Sequence, residues 1–124
     1  MKVAFTTSTG VSVDMKFRSA GSFTVWNVMP DGAYYVTTLF LDATTTSEEE
    51  RITSRADALA GCDLLCTHDI GGPAKARLAG RHIRILEVPC GSSVEELITK
   101  LWQRAKENSL PWTRTTTLST GDEK

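Results

Sequence analysis

Apolar residues alternate with a period of two early in the chain and recur at helical spacing late in it, and these two periods define the expected elements. Lys2–Thr7 predicts a first strand with Val3 and Phe5 on one face. Ser8–Ser22 is a loop of Gly, Ser and Thr, interrupted by a short extended stretch at Val11–Phe17. Phe23–Val28, carrying Trp26, predicts a second strand. Pro30-Asp31-Gly32 is a turn signal, and the aromatic and β-branched stretch Tyr34–Leu41 predicts a third strand, so the two form a hairpin. Ser47 and Glu50 have capping-box spacing, after which Ile52, Ala56 and Leu59 share one side of a helix that Gly61 ends. Asp63–Thr67 holds the run Leu64-Leu65-Cys66, which suits a fourth strand buried on both faces. Gly71-Gly72-Pro73 opens a second helix and Gly80 closes it; Ile83–Val88 predicts a fifth strand. Cys90-Gly91-Ser92-Ser93 then leads into the clearest helix. Its apolar stripe is Val94, Leu97, Ile98, Leu101, Trp102 and Ala105, with Glu95 and Glu96 in the first turn.

The element order β-β-β-α-β-α-β-α predicts a single α/β domain. Its mixed five-stranded sheet is expected in the order 3-2-1-4-5, with the second strand antiparallel and helices on both faces, an arrangement of ribonuclease H-like type. The domain is expected over residues 1–112. Residues 113–124, which follow Pro111-Trp112, have no periodicity and are expected to form a disordered tail.

Composition narrows the function classes. The 124 residues are 40% hydrophobic and 23% charged, as in soluble globular domains. A net charge of −1 gives no overall attraction to nucleic acid or membrane, and no apolar run reaches the length of a bilayer span. The three cysteines, Cys62, Cys66 and Cys90, are an odd number in a Cys-poor chain, which points to the cytoplasm and reduced thiols. The C-x₃-C spacing of Cys62 and Cys66 is not a zinc-site signature, and no second ligand pair accompanies it.

In open α/β sheets, ligands bind beyond the carboxyl ends of strands where the strand order reverses, here between the first and fourth strands. That point would gather Ser8, Thr9 and Gly10 from one loop and Cys66, His68, Gly71 and Gly72 from another, with Cys90 beyond the fifth strand. Two helix N-termini would add free N–H groups for an anion. Each residue also has a plainer role: Cys66 as a core thiol beside two leucines, Gly71-Gly72-Pro73 as a tight turn, and Lys16 and Arg18 as solvated cations. Cys62 falls at the opposite end of the fourth strand and is expected to be inert.

Three stretches resemble the dinitrogenase iron–molybdenum cofactor biosynthesis family. They are VAFTTSTGVSVDMKFRSAGSFTVWNV, ALAGCDLLCTHDIGGPAKARLAGRHIRIL and ENSLPWTR, and the Pro-Trp of the last favours NifX-like members. The resemblance implies a ribonuclease H-like fold. It also implies transient binding of an iron–sulfur precursor of the iron–molybdenum cofactor, such as NifB-co, and partners among nitrogenase cofactor-assembly proteins that donate or receive it. Many members carry His-Phe-Gly in the first loop, where Lys16-Phe17-Arg18 stands here. A basic pair in that place would attract an anionic cluster, while His68 and Cys66 are the candidate metal ligands. Two other readings compete: an interaction module that docks on assembly proteins without metal, and a small enzyme using Cys66 and His68 as nucleophile and base.

Overall fold

The computed structural model describes residues 1–41 and 47–108; Pro111-Trp112 and the expected tail lie outside the described residues. The elements are β1 (Lys2–Phe5), β2 (Ser12–Val13), a 3₁₀ turn (Phe17–Ser19), β3 (Ser22–Met29), β4 (Gly32–Phe40), α1 (Glu48–Ala58), β5 (Leu64–Thr67), α2 (Gly72–Ala79), β6 (Arg84–Glu87), β7 (Ser92–Ser93) and α3 (Val94–Asn108). Five strands form one mixed sheet in the order β4-β3-β1-β5-β6. β3 runs antiparallel to both β1 and β4, whereas β1, β5 and β6 run parallel.

The alternation of β1 sends its side chains into two cores. Val3 and Phe5 join Leu64, Cys66, Val94 and Ile98 on the α3 side. Ala4 joins Leu65, Ala56, Leu59, Ala74 and Leu78 on the side of α1 and α2. All four residues of β5 are buried, as the apolar run Leu64-Leu65-Cys66 leads one to expect for a strand covered on both faces. The helix ends are fixed by the signals in the sequence. The Ser47 side chain accepts from the Glu50 N–H at the start of α1, proline occupies the first turn of α2, and Gly61 adopts φ +90° beyond α1. On α3, Val94 and Ile98 are buried, and the Trp102 indole donates to the Pro30 carbonyl at 3.1 Å, tying the helix to the β3–β4 turn.

One element departs from expectation. Ser92-Ser93 reads in the sequence only as a lead into α3, and Val11–Phe17 as one extended stretch. In the structure β2 and β7 pair antiparallel as a separate two-stranded sheet, and the chain after β2 tightens into the 3₁₀ turn. Gly91 N–H donates to Val13 O at 2.8 Å and Val94 N–H to Val11 O at 2.9 Å. Two-residue strands are held by main-chain hydrogen bonds alone and leave no side-chain period to read.

Candidate functional site

The loops that leave β1 and β5 meet at the carboxyl ends of these neighbouring parallel strands. Thr6, Thr7 and Thr67 are buried there, and their hydroxyls organise the junction. Thr6 Oγ1 donates to Met15 O at 2.8 Å and lies 3.0 Å from Thr67 Oγ1, a bond that couples the two strand ends. Thr7 Oγ1 accepts from the N–H groups of Thr9 and Gly10, which turns the chain immediately after β1. The two loops are then joined directly, because Phe17 N–H donates to Asp69 O at 2.9 Å.

The Ser8–Gly10 turn is held by Asp14, whose carboxylate accepts from both the N–H and the hydroxyl of Ser8. The side-chain bond from Ser8 is the main reason the Asp14 carboxyl sits below its ordinary value; the Ser8 N–H acts in the same direction and slight burial opposes it. Neither Asp14 nor Arg55 stands out in the sequence as part of this region. Arg55, on α1, is buried and donates through Nη2 to Ala20 O at 2.7 Å, which pins the far end of the first loop. Burial lowers its pKa from the usual arginine value, with the neighbouring Arg51 acting in the same direction. The one signal for Arg55 in the sequence is a charge three residues past Ile52 on the apolar side of α1.

The expected site residues divide into groups. Arg18 and Gly71 line one small cavity of about 120 Å³, with Phe17, Glu48, Ile52, Asp69 and Pro73, beside the N-terminus of α2. Lys16 reaches Asp69 at 3.9 Å on the exposed rim, and Gly72 is the exposed first residue of α2. Gly10 instead lines a larger groove of about 430 Å³ on the α3 side, with Val11, Trp26, Val94 and Ile98. Ser8 and Thr9 are exposed between the two. His68 is half-buried, the first residue past β5.

The three chemically soft candidates do not converge. Cys66 is fully buried in the α3-side core, and burial pushes its thiol up to about 12. Cys90 is exposed beyond β6. Among the described residues no group of three or more His, Cys, Asp or Glu side chains is placed to hold a metal ion. Cys62, at the other end of β5, is buried and its thiol is also raised by burial. What the junction offers is two cations, Lys16 and Arg18, beside two carboxylates, Asp69 and Glu48, and the N-terminus of α2, with His68 one residue past β5 and outside the lining of the small cavity.

Known proteins similar in sequence cover most of the chain. Residues 1–104 match the family model described as "Dinitrogenase iron-molybdenum cofactor". The chain is 28% identical over 121 residues to "Protein NifX" of Sinorhizobium fredii, covering 92% of this chain and 76% of that one. It is 28% identical over 116 residues to "Protein NifX" of Herbaspirillum seropedicae, covering 92% and 80%. The "Protein NifX" of Azotobacter vinelandii is 26% identical over 113 residues, covering 90% and 72%. Among solved structures, the NMR structure of a putative NifB protein from Thermotoga aligns with a TM-score of 0.48 and 18% identity, over 85% of this chain and 89% of that one. The chain belongs to the dinitrogenase iron–molybdenum cofactor family, as a NifX-like member.

Proposed function

We propose that this chain binds an iron–sulfur precursor of the iron–molybdenum cofactor, of NifB-co type, and carries or stores it between the cluster donor and the scaffold during nitrogenase cofactor assembly. The reading is of a cytoplasmic carrier on a ribonuclease H-like sheet, without catalysis of its own. The observation that carries it is the Phe17–Asp69 main-chain bond. It locks together two loops at the strand-order switch that bear His68, Lys16 and Arg18 and lead into the α2 N-terminus. The cluster is cargo and must be released. A single imidazole, aided by cations and free N–H groups, holds an anionic cluster less firmly than four thiolates would.

The state of Cys66 favours a carrier over a Cys/His enzyme. A thiol at about 12 is almost wholly protonated at neutral pH, which makes it a poor nucleophile and a reluctant metal ligand. His68 is therefore the principal protein ligand in this reading, and Cys66 serves the core. The test is anaerobic incubation with isolated NifB-co, followed by gel filtration and measurement of iron retained per chain. His68→Ala is expected to stay folded and to lose retention several-fold. Cys66→Ala is expected to lose stability and keep near-normal retention. Full iron retention by a folded His68→Ala variant would place the site elsewhere, and turnover of a thioester or phosphoester by the wild type would favour the enzyme.

A further inference from the structure

The edge of the sheet formed by β6 differs in kind from the edge formed by β4. From Gly32 to Leu41 the β4 side carries no charged residue, and its pairing with β3 contains an irregularity between Val25 and Trp26. β6 is regular, with four residues in unbroken register on β5. The Arg84 N–H donates to Asp63 O at 3.0 Å and the Val88 N–H to Thr67 O at 2.9 Å, so the even-numbered residues face β5. By alternation, Ile85 and Glu87 direct their N–H and C=O groups away from the sheet, to the unpaired side.

The surface around that edge is positive. Residues 70–87 carry Lys75, Arg77, Arg81 and Arg84 against a single acid, Glu87 at the end of β6. Lys75 pairs with Glu87 at 3.0 Å and Arg81 with Asp57, but Arg84 has no acidic partner among the described residues. A shallow groove runs beside the edge with an apolar floor of Ala79, Ile83 and Ile85, walled by Lys75, His82 and Arg84. Leu86, on the opposite face from Ile85, is 38% exposed. Charges on an edge strand ordinarily keep sheets from joining. They discriminate by sign, however: a neutral or basic strand is repelled or left undersolvated, and an acidic one is drawn in.

We propose that β6 and the flanking α2 surface form a docking edge for an extended acidic segment of a partner protein. The segment would pair its main chain with Ile85 and Glu87, with side chains on one of its faces meeting Lys75 and Ile85 and those on its other face meeting Arg84 and Leu86. A second copy of this chain fits poorly, because its β6 would offer a single carboxylate, Glu87, which already pairs with Lys75. A nucleic acid fits poorly too, because the groove offers no Phe, Tyr or Trp ring for a base and the chain as a whole is at −1. The inference stands apart from cluster binding and does not depend on it.

The experiment uses the full chain and a fluorescent eight-residue peptide of the repeat Glu-Glu-Val-Val, which places both residue types on each face of an extended strand, with its Lys-Lys-Val-Val counterpart and a single-stranded oligonucleotide as comparisons. Anisotropy at low and moderate salt reads affinity, and amide hydrogen exchange reads the edge. The acidic peptide is expected to bind more tightly at low salt. It should slow exchange at Ile85 and Glu87 while leaving the already bonded Arg84 and Leu86 amides unchanged. Lys75→Glu with Arg84→Glu is expected to weaken binding by about tenfold or more. Arg84→Glu alone, at an exposed position, provides a folded variant if the pair perturbs the domain, and circular dichroism checks both. No binding of the acidic peptide, binding indifferent to the reversals, or unchanged exchange at Ile85 and Glu87 would overturn the proposal, as would tighter binding of the oligonucleotide.

Discussion

Leu65→Ala tests the central claim about the core, that β5 is a strand sealed on both faces. Leu65 is fully buried, in register with Ala4 on one neighbouring strand and Ile85 on the other, beneath α1 and α2. The substitution removes three carbons, which at about 0.8 kcal/mol each is a transfer loss of about 2.4 kcal/mol. A cavity term adds to this, because the site collapses poorly. Ala4 has no side-chain atoms beyond Cβ with which to fill the space, and both neighbouring strands are held by main-chain bonds. The sum falls at roughly 3–4 kcal/mol, within the range for buried Leu→Ala changes. For a domain of this size that is a fall in Tm of roughly 10 °C or more. Urea melts of wild type and variant, followed by circular dichroism, measure it. A loss below about 1 kcal/mol with an unchanged denaturant slope would show that Leu65 is not packed as described. In anaerobic retention assays at a temperature where the variant stays folded, iron per chain should equal wild type, because the proposed mouth lies beyond the strand ends.

Further outcomes follow from the titrating and polar groups. The Cys66 thiol is raised by burial, so the folded state favours its protonated form. The stability this gives is fully present below the unfolded-state value of about 9. It is lost as pH rises toward about 12, and Cys66→Ala should flatten that alkaline loss in melts compared with wild type. At pH 8 a bulky thiol reagent should modify the exposed Cys90 and spare Cys62 and Cys66 in the folded protein; rapid modification of three thiols without unfolding would contradict their burial. Asp14→Ala should speed amide exchange at Ser8 and leave global stability nearly unchanged, since the two bonds it breaks are local and exposed. Lys16→Glu with Arg18→Glu should weaken retention of the anionic cluster, and wild-type retention should fall with added salt. Retention that ignores both would remove the cations from the proposed site.

The fold is legible in the sequence wherever side chains carry the pattern. Val3 and Phe5, Leu64 to Cys66, and the stripe from Val94 to Ala105 each announce their element because their burial repeats at a fixed period. The capping pair Ser47 and Glu50 and the Gly71-Gly72-Pro73 turn are legible because their chemistry is local. The site is less legible because its construction is not periodic. Ser8 and Asp14 are six residues apart, Arg55 and Ala20 thirty-five, and Phe17 meets Asp69 through main-chain atoms whose side chains play no part. Such contacts follow from tertiary placement, and nothing in the order of residues fixes them beforehand.

The division of labour at β5 bears on how a carrier works. Alternation sends Cys66 to the α3-side core and Thr67 to the opposite face, where its hydroxyl meets Thr6, so the strand's strongest potential ligand is occupied in packing. Were its thiol exposed at the mouth instead, at an ordinary pKa, iron would draw off its proton and bind it tightly, and transfer to an acceptor would slow. With the thiol withdrawn, the proposed mouth is left with an imidazole and positive charge, whose hold on an anionic cluster is moderate and weakened by competing anions. The proposed β6 edge supplies a second grip at a separate place. A partner could then approach through charge and main-chain pairing while the mouth remained free to release its cargo, which makes docking and transfer separable by mutation: Arg84→Glu should reduce peptide docking without reducing iron retention, and His68→Ala should do the reverse. Loss of both functions in either folded variant would mean that the two surfaces are one.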